Sequence, residues 1–283
     1  WTPDCTTAYV VDGDLIIASG ATLTIGAGVI VKSSPSRSLT VSGSLVANGT
    51  SDAPVVFTSL RDDTVGGDTN GDGTATSPAK GDWQGISVYG PDGSLTLGHA
   101  VARYMSGGLT GSSLSAVTVT DSTFEHVGYG LYVSASKAIV VSGNTVSDSA
   151  GTGIAVVQNG FVTNTALSTT TVTNNTVNGV RSGNGITVDA LPPSNPAALA
   201  NVPGPTVAGN TIKNVSGSNF DSTTPTSGVA LSVSAWSLLP ARLTGNTGTG
   251  NTVNALVLVG TLKADLTLPV AGLPVIIGSG HTG

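Results

Sequence analysis

A six-residue pattern that recurs along the chain constrains the fold more than any other feature. VSGNTV, VTNNTV, VAGNTI and LTGNTG begin at residues 141, 172, 207 and 243, and VTDSTF and LGHAVA begin at 119 and 97 in the same frame. The fourth positions are Ala100, Ser122, Asn144, Asn175, Asn210 and Asn246, spaced by 22, 22, 31, 35 and 36 residues. The first and last positions of every copy are apolar or small. A frame kept over six copies indicates structural units that stack on one another.

A short strand pattern follows four of the copies. GLYVSA (130–135), GIAVVQ (153–158), GITVDA (185–190) and GVALSV (228–233) each open with Gly and alternate apolar with other residues, so one face is buried. The sequence therefore predicts an all-β solenoid, a parallel β-helix of roughly ten coils with loop insertions, each coil ~4.8 Å above the last. We expect the Asn residues at the fourth positions to form a ladder that bonds successive coils. We also expect these Asn residues to adopt the left-handed conformation of a tight corner.

Composition agrees with this fold and excludes several classes of partner. Only 9% of the residues are charged, the net charge is −6, and the ten Lys and Arg residues are spread singly. Nucleic acid and anionic membrane are therefore not expected as partners. No apolar run approaches the ~20 residues of a membrane-spanning helix. The only cysteine, Cys5, rules out an internal disulfide, and we expect a monomer that is a processed or excised piece of a longer protein.

The stacked GNTV…GI.V repeats resemble those of right-handed parallel β-helix proteins, the pectate-lyase-like superfold. Residues 12–32, 39–59 and 81–90 are similar to coils of bacterial secreted and cell-surface β-helix proteins. The resemblance implies an extracellular or bacterial cell-surface location. It also implies one domain, 1–283, with N-terminal coils at 8–60, an Asp-rich insertion at 61–82 and repeat coils at 83–265. GLPVIIGSG (272–280) is similar to TAYVVDGDL (7–15), so 272–283 is a candidate start of a following tandem unit.

The insertion RDDTVGGDTNGDGTATSPAKGDW (61–83) carries the most specific chemistry in the sequence. Asp68, Asn70 and Asp72 occupy positions 1, 3 and 5 of a calcium-loop pattern, and Gly73 occupies position 6. Position 12 is Ala79 instead of the usual Glu, so further oxygen ligands must come from elsewhere. The candidates for this closing role are Asp62, Asp63 and Asp82. We predict a structural Ca²⁺ site, and the alternative is an unliganded, turn-rich polar loop.

Longer coils add loops that could form the walls of a groove beside the stack. Candidate ligand-binding residues on or next to these loops are Phe161, Asp189, Phe220, Asp221 and Trp236. Exposed aromatic side chains there would stack on sugar rings, and the alternative is that they cover the hydrophobic stack. Trp83 and Tyr89 follow the Asp-rich insertion in a strand-like run, and we expect both to be packing residues.

The sequence shows no matched catalytic pair. Measured from the fourth positions, Asp148, Asp189 and Asp221 lie at +4, +14 and +11, so their carboxylates are not expected to stack. Glu125 and His126 are neighbours in a strand and should point to opposite faces.

These observations favour a non-catalytic structural or adhesive module with carbohydrate-binding capacity. Its expected partners are a polysaccharide or cell-surface glycan and neighbouring modules of the same chain. The alternative is a polysaccharide lyase or glycoside hydrolase with its site in the loop-walled groove. Alternating Thr residues at 22–25, near 117–120 and at 170–173 raise an ice-binding face as a third class. We expect the longer coils to interrupt the register that such a face needs.

Overall fold

The computed structural model describes residues 1–5, 7–159, 169–190, 204–217, 227–267 and 272–278. Within these ranges the strands form two parallel sheets, of nine and fifteen strands. We call the nine-stranded sheet A, and the two parts of the fifteen-stranded sheet, which share two long strands, sheets B and C. The chain passes through A, B and C in constant order. The described residues contain two 3-10 helices, Pro3–Cys5 and Pro240–Arg242, and no α-helix. None of the described helices is long and apolar enough to cross a membrane.

The strands are numbered β1 to β24 in chain order. Sheet A contains β1 Tyr9–Val11, β4 Ile30–Ser33, β7 Val55–Ser59, β10 Ala100–Arg103, β12 Thr123–Val127, β14 Thr145–Ser149, β17 Thr176–Val180, β20 Thr211–Val215 and β22 Thr247–Thr249. Sheet B contains β2 Leu15–Ile17, β5 Ser38–Val41, β8 Gly85–Tyr89, β11 Leu109–Thr120, β13 Leu131–Ser142, β15 Ile154–Gln158, β18 Ile186–Ala190, β21 Val229–Leu238, β23 Val253–Leu262 and β24 Val275–Ile277. Sheet C contains β3 Thr22–Ile25, β6 Ser44–Asn48, β9 Ser94–Gly98, the C-terminal halves of β11 and β13, β16 Thr169–Thr173 and β19 Thr206–Ala208.

Rows of identical or similar apolar side chains fill the space between the sheets. In sheet C, Val119, Val141, Val172 and Val207 are aligned in register, and all four are fully buried. The sixth positions of the sequence pattern form the matching row of sheet A, which includes the fully buried Phe124. The predicted inward positions of the repeat are therefore confirmed, and the all-β parallel stack is the observed fold.

The predicted Asn ladder is also present, at the corner between sheets C and A. Asn144 Oδ1 accepts the backbone N–H of Ser122 at 3.0 Å, and Asn175 Oδ1 accepts that of Asn144 at 3.0 Å. Asn210 and Asn246 continue the series in the same way. The expected left-handed conformation at the Asn is wrong by one residue. The positive φ angles belong to the preceding residues, His99, Asp121, Gly143, Asn174, Gly209 and Gly245. Asn therefore supplies the hydrogen bonds while its neighbour supplies the turn.

A second left-handed corner lies at the end of six of the nine sheet A strands. Tyr104, His126, Asp148, Gly179, Asn214 and Gly250 all have positive φ and occupy one position on six coils. Asn, Asp and Gly tolerate this conformation best, whereas Tyr104 is unusual there. The corner directs His126 and Asp148 outward, away from the core, and aligns them with each other.

Insertions do not disturb the register of the stack, so the expectation that longer coils interrupt it is wrong. Thr24, Thr96, Thr118, Thr171 and Thr206 form one outer row of sheet C, in which Val46 and Val140 also lie. The insertions leave the stack at the corners between strands, where they add chain length without shifting the strands. The longer coils therefore do not exclude an ice-binding face.

One further local expectation needs correction. Trp83 is buried as expected, but Tyr89 is 44% exposed and is not a core residue. In the C-terminal segment that resembles residues 7–15, β24 lies in sheet B with β2, whereas β1 lies in sheet A. A following tandem unit stays a prediction.

Candidate functional site

The Asp-rich insertion leaves the stack after β7 and returns at β8, and two acidic residues anchor its ends. Asp62 is fully buried and forms an ion pair with Arg103 of β10. Burial would raise the pKa of Asp62, but hydrogen bonds from Thr58 and Thr64 and the charge of Arg103 lower it below the usual value. At the other end, Asp82 accepts from Arg61 at 3.1 Å and from Ser59 at 2.8 Å. Through these contacts, Asp62 and Asp82 hold the two ends of the insertion in place.

Asp68 organises the tight turn in the middle of the insertion. Its carboxylate accepts the backbone N–H groups of Gly71 at 2.7 Å, Asp72 at 3.3 Å and Gly73 at 2.8 Å. Hydrogen bonds from Gly73, and then from Gly71 and Asp72, lower the pKa of Asp68 despite some desolvation. Gly71 and Gly73 have φ of 72° and 67°, so the turn requires Gly at both positions. The spacing of the motif therefore produces a defined local fold.

Three carboxylates converge inside this turn, and several of their oxygens lack partners. Oxygen atoms of Asp63, Asp68 and Asp72 all lie within 4.8 Å of one another. Asp63 Oδ1, Thr69 Oγ1, Asn70 Oδ1 and Asp72 Oδ1 are buried without a hydrogen-bond partner. The other carboxylate oxygen of Asp72 accepts from Asn70 Nδ2 at 2.8 Å. We call Asp63, Asp68, Asn70 and Asp72 the acidic cluster. Of the three candidate closing residues, Asp63 is the one that the structure brings to the motif.

A buried lysine lies beneath the acidic cluster, and the sequence motif alone did not reveal it. Lys32 of β4 is 0% exposed, and its ammonium donates to the carbonyl oxygen of Gly67 at 2.5 Å. A Cβ at Gly66 would lie 3.5 Å from Lys32 Cε, so the loop backbone packs directly on the lysine side chain. Burial lowers the pKa of Lys32, and the charges of Asp63, Asp62 and Asp68 partly counter this effect.

A second polar cluster, at the corner after sheet A, also escaped the sequence analysis. Asp148 Oδ1 accepts from Lys80 at 2.8 Å and from Arg181 at 2.8 Å, while Oδ2 lies 2.9 Å from His126 Nδ1. Burial would raise the pKa of Asp148, but hydrogen bonds from Lys80 and His126 and the nearby positive charges lower it to about 2. Because Lys80 belongs to the insertion, this cluster ties the loop to the coil of β14. The side chains, with Tyr104, line a cavity of about 400 Å³.

A groove of about 300 Å³ runs over the outer face of sheet B, and it contains one predicted residue. Tyr129 and Tyr132, which are 56% and 43% exposed, line it together with Asp189 of β18. Burial raises the pKa of Asp189. The described lining contains a single carboxylate, whereas glycoside hydrolysis uses two.

The remaining predicted ligand-binding residues are not brought together in the described structure. Phe161, Phe220 and Asp221 lie outside the described residues. Trp236 was expected on a loop but lies within β21, so its placement on a loop is wrong. Its role in ligand binding stays a prediction. Its ring is partly buried, and the ammonium of Lys263 lies 4.7 Å from the ring centroid.

Comparison with known families agrees with the observed stack. Residues 2–92 match a model described as a pectate-lyase-like beta helix domain. Residues 81–193 and 107–265 match a model described as a right-handed beta helix region. Comparisons with curated proteins and with solved structures gave no match. The two family models together cover most of the chain and agree with the parallel sheets, so the chain belongs to the right-handed, pectate-lyase-like β-helix family.

Proposed function

We propose that this chain is a structural or adhesive β-helix module of an extracellular bacterial protein, stabilised by Ca²⁺ bound in the acidic cluster. The observation that carries the calcium proposal is the set of buried oxygens without partners on Asp63, Asn70 and Asp72. A buried acceptor without a partner costs about 1–3 kcal/mol, so three or more in one turn would be strongly unfavourable without a ligand. A bound cation satisfies them together.

The donor set fits calcium better than a transition metal. All of the candidate ligands are oxygens, and the described cluster contains no His or Cys. Calcium takes six to eight oxygen ligands from carboxylates, amide and backbone carbonyls and water, in flexible geometry. Asp63, Asp68, Asn70 and Asp72 would supply four side chains, and backbone carbonyls or water would complete the sphere. Extracellular calcium is high enough to fill even a weak site of this kind.

The stack itself supports the structural part of the proposal. Ten described strands of sheet B at a spacing of ~4.8 Å give a rod about 45 Å long. Its surface includes rows of short polar side chains, such as the Thr row of sheet C. Such a rod suits a role as a spacer or an adhesive stalk between neighbouring modules.

Thermal unfolding tests the calcium site. Calcium at a hundredfold excess over Kd should stabilise the wild-type protein by about 2.7 kcal/mol relative to excess chelator. Asp72→Asn keeps the side-chain shape and should abolish this calcium-dependent rise in Tm. Asp92→Asn, an exposed acidic residue in another turn, serves as the control and should respond like the wild type. Equal Tm values of the wild type with calcium and with chelator would refute the site.

A second candidate function, glycan binding, is favoured by the groove on sheet B. Tyr129 and Tyr132 offer aromatic faces for sugar rings, and Asp189 offers a hydrogen-bonding carboxyl group beside them. Glycan-array binding by the wild type that is lost in Tyr132→Ala and kept in Tyr89→Ala would support this function. Tyr89 is an equally exposed tyrosine outside the groove lining, which makes it a matched control. Binding that is equal in both variants would rule out the groove.

A further inference from the structure

Lys32 lies outside the proposed ligand set, and its complete burial is unusual for a lysine. A fully buried ammonium is costly unless nearby negative charge compensates for its lost hydration. The ammonium of Lys32 donates its hydrogen bond to a neutral group, the carbonyl oxygen of Gly67. Compensation must therefore come from the carboxylates around it, of which Asp63, Asp62 and Asp68 act most strongly.

The charges near Lys32 can be counted from the observed contacts. Asp62 is paired with Arg103, so those two charges cancel near Lys32. Arg103 also lies 3.5 Å from Glu125, which is not among the charges that act most strongly on Lys32. Asp63, Asp68 and Asp72 contribute −3 to the acidic cluster, and Lys32 contributes +1. The sum, −3 + 1 = −2, matches one divalent cation. Without Lys32 the same cluster would carry −3, which matches a trivalent cation.

We propose that Lys32 is a specificity-determining residue that sets the charge of the acidic cluster for a divalent cation. This role rests on the proposed calcium site. Lys32 is not a ligand. It acts through space from the neighbouring coil, and its position is fixed by β4 and by the Gly67 carbonyl oxygen.

The ratio of the Kd for Ca²⁺ to the Kd for Tb³⁺ measures this role directly. Both cations bind the same ordered loop, so any cost of ordering the loop cancels in the ratio. Removing the positive charge of Lys32 strengthens the binding of a trivalent ion more than that of a divalent ion. We expect Lys32→Met to raise the ratio at least about tenfold, the scale of one unit charge several ångströms away. Lys32→Gln, which keeps a donor for Gly67, should do the same.

A matched control and a compensating variant make the test specific. Lys80→Met changes the net charge equally but acts at Asp148, so its ratio should stay at the wild-type value. The double variant Lys32→Met/Asp63→Asn restores the charge sum to −2 and should return the ratio towards the wild type. The double variant lacks both the ammonium of Lys32 and the carboxylate of Asp63. It therefore leaves neither charge without the other, and it should fold even where the single lysine variant does not.

Calorimetric titration with each ion separates the outcomes. If the wild type binds neither ion, the calcium site is refuted and the role of Lys32 with it. If the wild type binds calcium and the ratio in the Lys32 variants equals that in Lys80→Met, the site stands and the role of Lys32 is wrong. A ratio that stays raised in the double variant would also overturn the charge count.

Discussion

The Asn ladder should be a major source of stability, and Asn175 is the place to test it. Asn175 is fully buried, and its Oδ1 accepts from both the backbone N–H and Nδ2 of Asn144, each at 3.0 Å. Its Nδ2 donates to Val141 O at 3.0 Å and to Asn210 Oδ1 at 3.0 Å. Asn175→Ala would therefore leave two buried N–H groups of Asn144 without an acceptor, the backbone N–H and one N–H of Nδ2, whose other N–H still donates to Val119 O.

The expected loss follows from those two donors. Each buried donor left without a partner costs about 1–3 kcal/mol, so Asn175→Ala should lower the free energy of unfolding by about 2–6 kcal/mol. With a urea slope of about 3 kcal/mol/M for a chain of this size, the midpoint should fall by about 1 M or more. Urea unfolding followed by circular dichroism measures this shift, with an unchanged slope as the sign that only stability has changed.

Asn178 provides the matched control for this experiment. It lies three residues further along the same coil, is exposed, and accepts one hydrogen bond from Asn214 Nδ2 at 2.8 Å. Asn178→Ala should change the free energy of unfolding by no more than about 0.5 kcal/mol. Equal midpoint shifts in the two variants would show that burial of the ladder does not determine its contribution.

Two further predictions concern the core and the Asp148 cluster. Val172→Asp should prevent folding because it buries a charge without a partner, whereas Thr173→Asp, on the outer face of the same strand, should fold; circular dichroism distinguishes the two. The lowered pKa of Asp148, about 2, means that its contribution to stability is fully present above pH ~3.8 and is lost as the pH falls towards 2. The stability difference between wild type and Asp148→Asn should therefore be constant above pH 4 and shrink below it, and a difference that persists unchanged at pH 2 would contradict this.

The repeat predicted the core well because the inside–outside alternation of a strand is a local property. Each copy of the pattern gives the same alternation, and stacking in register multiplies the signal, as in the row that contains Val141 and Val172. The left-handed corner was misplaced by one residue, although the sequence carried a signal for it. Gly143, Gly209 and Gly245 precede three of the four ladder Asn residues, and Gly is the residue that favours positive φ.

Contacts between the insertion and the coils could not be predicted from local patterns. Lys80 meets Asp148 across 68 residues, and Lys32 meets Gly67 across 35. Neither contact joins equivalent positions of the repeat, because each depends on the path that the loop takes over the corner. The motif therefore indicates Asp68, Asn70 and Asp72, but it carries no signal for Lys32, which lies beneath them.

The acidic loop and the stack have complementary roles in the proposed site. The loop sequence supplies the oxygens and the turn, through the spacing of Asp68, Asn70 and Asp72 and the Gly residues between them. The coils on either side supply the compensating charges, since Lys32 comes from β4 and Arg103 from β10, the strands that flank β7 in sheet A. An insertion after any other sheet A strand would meet different neighbours at these two positions. The register of the β-helix therefore determines the charge of the cluster, and through that charge the kind of cation that the same loop sequence would bind.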